Sequence, residues 1–349
     1  MFDSPIKKIY IELTQTCNLG CVSCFQRNWK DPMLSMNKQL FININNQMHN
    51  MQALEHIVIG GIGEPTTHPD FNELMKQLPK VKRSITTNGY VWNNQTLHTL
   101  VDEFDQIIVS VDGLDETFKK IRTFELDRLR ENLKRLVDLR KEKKQLRPHL
   151  VAQLVLSKWN IDEVEKLIPE LKKMGFMKLI ISNLLPQNFV SKDLICYTID
   201  SNETMKEYRK IWLNKALSNQ MQTKFPHFEL KTERKCVFVE DSTLTIVADG
   251  SISPCYRFAH DTIEYVFGRR KEVSKFYYGN ANEKSIEDIY EQKNYKDLRF
   301  QNYANRFPSC PDCDLLESCD YVNDSLCDCN GQYPSCADCL WTRGFVECI

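Results

Sequence analysis

The chain has 349 residues, with 46 Lys and Arg against 47 Asp and Glu, and 42% of its residues are apolar. This composition is typical of a soluble globular protein, and the length predicts about two domains at roughly 150 residues each. The net charge of -1 excludes the basic surface that non-specific nucleic-acid binding needs. No apolar run approaches the ~18 residues of a membrane span, and the N-terminus lacks a signal-peptide core. We therefore expect a cytoplasmic protein without a nucleic-acid or membrane partner.

Residues 1–186 alternate short β-rich runs with segments of helical period. This alternation predicts βα units around a parallel sheet, and so an α/β fold. Six strands are predicted in this region: Ile9–Leu13, His56–Ile59, Ser84–Thr87, Gln106–Val111, Leu150–Leu156 and Lys178–Asn183.

Two helices have clear sequence signals. Leucines recur at three- and four-residue spacing from Leu126 to Leu139, which predicts a helix with one buried face. A second helix is predicted between Asn160, as its N-cap, and Gly175, just past its C-terminus.

The rest of the chain divides into two parts. Residues 187–234 are polar and partly helical, and we interpret them as a connector. Residues 235–349 predict a smaller α+β domain that begins with two strands around an Asp249-Gly250 hairpin turn. The last forty residues hold eight cysteines and little apolar periodicity, so this segment needs cross-links to be stable.

The 14 cysteines are the most informative feature of the composition. In a reducing cytoplasm, many cysteines indicate metal or redox chemistry rather than disulfides. Cys196 stands alone and is predicted to be an ordinary buried thiol. Ten cysteines follow it: Cys236, Cys255, Cys310, Cys313, Cys319, Cys327, Cys329, Cys336, Cys339 and Cys348.

The other three cysteines, Cys17, Cys21 and Cys24, follow the first predicted strand directly. They are therefore expected at the C-terminal edge of the sheet, where α/β folds place active sites. Three thiolates at this spacing can hold a [4Fe–4S] cluster and leave one iron open for chemistry. The alternative, a structural zinc site, lacks a fourth Cys or His within the next twenty residues.

The spacing CxxxCxxC after a first strand resembles the signature of radical S-adenosylmethionine (SAM) enzymes. The segment Gly60-Gly61-Ile62-Gly63-Glu64-Pro65 resembles the family's GGEP-type segment, which holds the methionyl amino group of SAM. Glycines that allow close backbone approach, followed by a carboxylate, suit such an ammonium ligand.

Two further segments resemble family positions at successive strand ends, Thr87-Asn88-Gly89 and Ser110-Val111-Asp112-Gly113. In that resemblance, Ser110 and Arg122 contact the carboxylate and ribose region of SAM. The predicted SAM-binding residues are Gly61, Gly63, Glu64, Asn88, Ser110, Asp112 and Arg122. The chain departs from the family in one respect, because Ser23 occupies the place of an aromatic residue before the third Cys. Phe25 and Trp29 are the candidates to replace it.

In the C-terminal part, the order Cys236, Gly250, Cys255 and then Cys310, Cys313 and Cys319 resembles the SPASM extension of radical SAM maturases. That extension carries two auxiliary [4Fe–4S] clusters, which need at most eight of the ten cysteines. By resemblance Cys236 and Cys255 serve the first cluster, and the other three serve the second. The alternative is a zinc site made by two CxxC pairs, Cys310/Cys313 with Cys336/Cys339.

The resemblance implies a partial (β/α)6 TIM-type barrel followed by a small cysteine-rich SPASM domain. It also implies reductive cleavage of SAM to a 5′-deoxyadenosyl radical that abstracts hydrogen from a substrate. The tail from Pro334 to Cys348 is similar to that of maturases of tungsten-cofactor oxidoreductases, which makes such an oxidoreductase the expected partner, with a small redox protein as electron donor. Modification of a peptide or protein side chain is the first alternative. A non-enzymatic zinc or iron–sulfur scaffold is the second.

Overall fold

A computed structural model describes residues 3–29 and 32–347. It contains twelve strands within these residues. In chain order, β1 to β12 are Lys8–Glu12, His56–Gly60, Lys82–Thr87, Gln106–Ser110, His149–Leu156, Lys178–Asn183, Gln222–Lys224, Thr243–Ile246, Ser251–Ser253, Thr262–Val266, Arg269–Val273 and Gly279–Asn280. All six strands predicted for the first half of the chain are present.

The described residues also form ten α-helices. In chain order, α1 to α10 are Lys38–Asn50, Phe71–Met75, Asn94–Glu103, Asp115–Arg122, Leu126–Glu142, Val164–Lys173, Glu203–Ser218, Val237–Glu240, Ile286–Tyr290 and Lys293–Tyr303. Within these residues, no helix has both the length and the apolar character required to cross a bilayer.

Strands β1 to β6 lie side by side in sequence order, and every neighbouring pair is parallel. Helices connect them and cover the outer face, where the large apolar core lies. This arrangement confirms the α/β fold class and the partial barrel, with a cysteine-rich C-terminal part after it. All six strands point their C-terminal ends to the same rim, and chemistry is expected at that rim.

The sheet continues beyond these six strands on both sides. The predicted connector contains α7 and the short strand β7, which pairs in parallel with β6. On the other side β8 pairs in parallel with β1, and β9 returns antiparallel to β8. Gly250 forms the predicted hairpin turn between them, with a positive φ of 87°. The C-terminal part of the chain is thus joined to the barrel by backbone hydrogen bonds.

Inside the barrel, two small groups of apolar side chains lie between its two ends. We call these two groups together the apolar belt, and they are Tyr10, Val58 and Phe238, and Ile108, Val151 and Ile180. All six side chains are at most 5% exposed. On β1, β4, β5 and β6, the side chains two positions before and two positions after the belt residue are polar, so polar groups lie towards both ends of the barrel.

The helix predicted from Asn160 begins differently from the prediction. Residues Ile161–Glu163 form a 3-10 turn, and the Asn160 side chain does not cap it. Instead its Oδ1 accepts a hydrogen bond from the Ser157 N–H (2.9 Å), and its Nδ2 donates to the Asp112 carbonyl (2.9 Å). The side chain therefore joins the ends of β4 and β5. Gly175 ends the helix with a positive φ of 92°, as predicted.

Candidate functional site

Cys17, Cys21 and Cys24 lie in a compact loop after β1, at the C-terminal rim of the barrel. Arg27 holds this loop, donating from Nε to the Cys21 carbonyl (2.8 Å) and from Nη2 to the Gly20 carbonyl (2.6 Å). The Val22 N–H donates to the Ile121 carbonyl at 2.9 Å, which fixes the loop to the end of α4. The three thiols are thus positioned by backbone contacts.

A cavity of about 300 Å3 opens at this loop. It is lined by all three thiols and by six of the seven predicted SAM-binding residues. These six are Gly61, Gly63, Glu64, Asn88, Ser110 and Arg122. Residues from the ends of four different strands therefore surround the same space, and they include donors and acceptors suited to a zwitterionic ligand.

Glu64 is the most strongly bound carboxylate of this cavity. Its Oε1 accepts hydrogen bonds from the Thr66 N–H, the Thr66 hydroxyl and the Thr87 hydroxyl, at 2.7–3.2 Å. Its Oε2 accepts a 2.6 Å bond from the Asn88 N–H. Burial raises the pKa of Glu64, while these four donors oppose that rise. The carboxylate therefore ties the segment after β2 to the end of β3 and offers a fixed negative wall to the cavity.

Asp112 is the one predicted SAM-binding residue that is not among the lining residues. Its side chain is fully buried and accepts a hydrogen bond from the Val155 N–H (2.7 Å). It also forms an ion pair with Arg122, with 2.5 Å between Oδ2 and Nε. Burial alone would lower the pKa of Arg122, but Asp112 raises it above its usual value. We interpret Asp112 as the residue that positions the Arg122 guanidinium at the cavity.

The donor set of the loop fits an iron–sulfur cluster. Within residues 3–29 and 32–347, no three His, Cys, Asp or Glu side chains converge closely enough to bind one metal ion together. A [4Fe–4S] cluster is a cube, and its protein thiolates bind separate irons around a volume. Burial raises the pKa of Cys17 to about 11, so positive charge from iron is needed to keep this thiol ionised.

The two aromatic candidates near the third cysteine take different positions. Phe25 lines the cavity, whereas Trp29 is not among its lining residues. Trp29 instead packs against His260, with 4.0 Å between the ring centroids. Of the two, Phe25 is the one placed to contact a ligand beside Ser23.

Sequence reasoning missed the contribution of the C-terminal tail. Trp341, Val346 and Glu347 all line the cavity, although they follow β1 by more than 300 residues. The Glu347 N–H donates to the Ser182 hydroxyl at the end of β6 (3.1 Å), and its carboxylate forms an ion pair with Lys224. The sequence signal for a functional tail was Glu347, a charged residue close to the Cys336/Cys339 pair. Nothing in the sequence shows that the tail folds against the barrel rim.

Four cysteines of the C-terminal part form one group. Burial raises the pKa of Cys236 well above its usual value, and the nearby thiols of Cys336, Cys255 and Cys339 raise it further. Burial also raises the pKa of the Cys336 thiol, and the nearby thiols of Cys339 and Cys255 raise it further. Cys336 and Cys339 thus lie close to Cys236 and Cys255. The zinc alternative instead grouped Cys336 and Cys339 with Cys310 and Cys313.

A second group contains Cys310, Cys313 and Cys319, of which Cys313 is exposed. Cys310 and Cys319 pack in a small cluster with Val322 and Ala337, and Cys313 follows Cys310 in a backbone turn. Cys327 is half-buried and Cys329 is exposed. Cys348 lies outside the described residues. Cys196 is buried, as predicted, and burial raises its pKa to about 12.

Gly63 provides a sharp test of the cavity, because a Cβ at this position would overlap the Thr14 carbonyl oxygen. We expect Gly63→Ala to displace the segment that carries Glu64 and to slow SAM cleavage by about 10²-fold. The measurement is 5′-deoxyadenosine formation together with equilibrium SAM binding. Gly20→Ala is the matched control, since a Cβ at Gly20 would meet no atom within 4 Å. Equal activity of the two variants would contradict the assigned role of the segment.

Comparison with known proteins agrees with this geometry. The model of the Radical SAM superfamily matches residues 11–182, and that of the SPASM iron–sulfur cluster-binding domain matches residues 236–314. A tungsten-containing aldehyde ferredoxin oxidoreductase cofactor-modifying protein of Pyrococcus furiosus is 36% identical over 98% of this chain and 97% of its own. A probable GTP 3′,8-cyclase of Saccharolobus islandicus is 27% identical over 53% of this chain and 59% of its own.

Solved structures show the same fold at lower identity. SuiB of Streptococcus suis has a TM-score of 0.64 and 18% identity, covering 92% of this chain and 74% of its own. AnSMEcpe with bound AdoMet has a TM-score of 0.63 and 17% identity, covering 95% and 90%. The cysteine loop, the cavity at the barrel rim and the near full-length relative lead to one conclusion: this chain is a radical SAM enzyme with a C-terminal SPASM domain.

Proposed function

We propose that this enzyme cleaves SAM reductively and uses the product to abstract hydrogen during maturation of a tungsten-cofactor oxidoreductase. The observation that carries the first half is the cavity in which three thiols, Glu64, Asn88 and Arg122 meet. The near full-length similarity to the cofactor-modifying protein of Pyrococcus furiosus supports the second half. When bound, the cluster and SAM supply one-electron cleavage to methionine and a 5′-deoxyadenosyl radical.

The protein's own residues bind and orient the ligand. The ion pair with Asp112 positions the Arg122 guanidinium at the cavity, where it can bind a carboxylate of the ligand. Glu64 and the glycines before it suit an ammonium. Part of the cavity lining is apolar and is formed by Phe25, Trp341 and Val346. These side chains would exclude water from a reactive species in the cavity. Holding the substrate hydrogen next to the reacting carbon is the remaining task of the lining residues.

The C-terminal cysteines are proposed to hold two auxiliary [4Fe–4S] clusters. The first uses Cys236, Cys255, Cys336 and Cys339, which lie together. The second uses Cys310, Cys313 and Cys319, with a fourth thiolate from Cys327, Cys329 or Cys348. Iron, sulfide and zinc analysis after anaerobic reconstitution tests this assignment, and we expect about twelve iron per chain. About four iron with zinc would contradict it.

The substrate proposal is tested by co-expression. A tungsten-containing aldehyde oxidoreductase would be produced with this protein, without it, and with an inactive cysteine variant. We expect an active oxidoreductase with an altered cofactor mass only in the first case, with electrons supplied by a small redox protein. A mass change in the oxidoreductase polypeptide instead would favour side-chain modification. Unchanged activity and mass would contradict maturation.

A further inference from the structure

A second polar cavity lies at the opposite end of the barrel, below the apolar belt. It has a volume of about 460 Å3. Its lining includes the first residues of five of the six central strands, namely Lys8, His56, Lys82, Gln106 and Lys178. Strand pairing places Lys8 beside His56, and His56 beside Lys82. These five side chains line one space at this end of the barrel, which we call the basal cavity.

The basal cavity holds more positive than negative charge. Five lysines line it against three carboxylates, those of Glu55, Glu240 and Asp241. Lys7 and Lys8 have carboxylate partners at 3.5 and 3.9 Å, and Lys224 pairs with Glu347 above the belt. In the part of the chain that the structure describes, Lys82 and Lys178 form no salt bridge. Neither lysine therefore has a carboxylate oxygen of the described residues within 4.0 Å, and Glu347 acts on Lys178 only from a greater distance.

Neighbouring lysines also contribute to the pKa shifts of two groups at this cavity. Burial lowers the pKa of His56 to about 3, with further lowering from Lys82 and Lys8. Burial also lowers the pKa of Lys178, and Lys224 and Lys82 contribute to that decrease. The ammonium groups of neighbouring lysines repel one another, and a bound anion would reduce this repulsion.

We propose that the basal cavity binds a multivalent oxyanion, either free phosphate or the phosphate group of a small molecule. Lysine ammonium groups are compact point charges that bind phosphate oxygens, and the Gln106 amide adds an uncharged donor. Lys82 and Lys178 line the same cavity from different strands, so both can approach one anion. No residue that lines the basal cavity also lines the SAM cavity, so this proposal does not depend on the proposed function.

Isothermal titration of the anaerobically reconstituted full-length protein tests the proposal, at fixed ionic strength, with inorganic phosphate, pyrophosphate and AMP. We expect one site per chain and a loss of affinity of about tenfold or more in the double variant Lys82→Gln/Lys178→Gln. Tighter binding of AMP than of phosphate identifies a phosphate ester as the ligand, and the reverse identifies the free anion. SAM cleavage by the double variant should remain at the wild-type rate.

The matched control is Lys134→Gln/Lys141→Gln, which removes the same charge from the exposed face of α5. We expect this control to bind the anion as the wild type does. No saturable binding to the wild type, or an equal loss in both double variants, would overturn the proposal. Anion binding should persist in a Cys17→Ala variant that has lost SAM cleavage, so failure of one proposal is distinguishable from failure of the other.

Discussion

Cys24→Ala is expected to abolish reductive SAM cleavage and to remove about four of about twelve iron atoms per chain. Cys24 is one of three thiols that line the cavity, and two thiolates do not hold a [4Fe–4S] cluster with one open iron. The measurements are 5′-deoxyadenosine formation with dithionite and iron content after anaerobic reconstitution. The auxiliary iron should remain, and this shows that the variant has folded.

Cys196→Ala is the matched control for this experiment. Cys196 is buried in the main apolar core and belongs to neither group of C-terminal cysteines. The same change of Cys to Ala at this position should leave the iron content and SAM cleavage intact. Retained cleavage in Cys24→Ala would show that the chemistry does not depend on the loop after β1. Loss of cleavage in Cys196→Ala would show that the effect of replacing a cysteine is not specific to that loop.

Most of the barrel and of its cavity was predictable from sequence, because the signals are local. Each of β1 to β6 is a short β-rich run, and the predicted SAM-binding segments follow those runs directly. The C-terminal ends of parallel strands meet at one rim, so residues such as Glu64 and Ser110 come together without long-range information. Glycine at positions 63 and 250 marks a close approach and a turn in the same local way.

Contacts between distant segments were not predictable from sequence. The grouping of Cys236 with Cys336 depends on how the 99 residues between them fold, and CxxC spacing alone also suits zinc. Asp112 lies in a family motif, yet it pairs with Arg122, the last residue of α4, instead of lining the cavity, and the motif does not show this contact. Lys82 and Lys178 belong to separate βα units, and only the folded structure shows that both line the basal cavity.

A deeply buried ion pair lies beside the cysteines of the C-terminal part of the chain. Arg257, just after Cys255, contacts Glu264 on β10, with 2.5 Å between Nη2 and Oε1 and with 2% of each side chain exposed. Arg257 also donates to the Ser335 carbonyl at 3.0 Å. Burial alone would lower the pKa of Arg257, but Glu264 raises it above its usual value. The guanidinium thus remains charged beside the Cys336 and Cys339 thiols because Glu264 balances it.

Glu264→Ala is therefore expected to lower the free energy of unfolding by about 3–5 kcal/mol, since it leaves a buried cation without its carboxylate. Glu272→Ala is the matched control on the same hairpin: Glu272 is exposed and pairs with Arg270, so its loss should cost about 0–1 kcal/mol. Anaerobic urea unfolding followed by circular dichroism measures both. A variant in which both Arg257 and Glu264 are replaced by apolar residues should recover part of the loss, because no buried charge remains. If Glu264→Ala is no less stable than Glu272→Ala, the pair is not what stabilises this part of the fold.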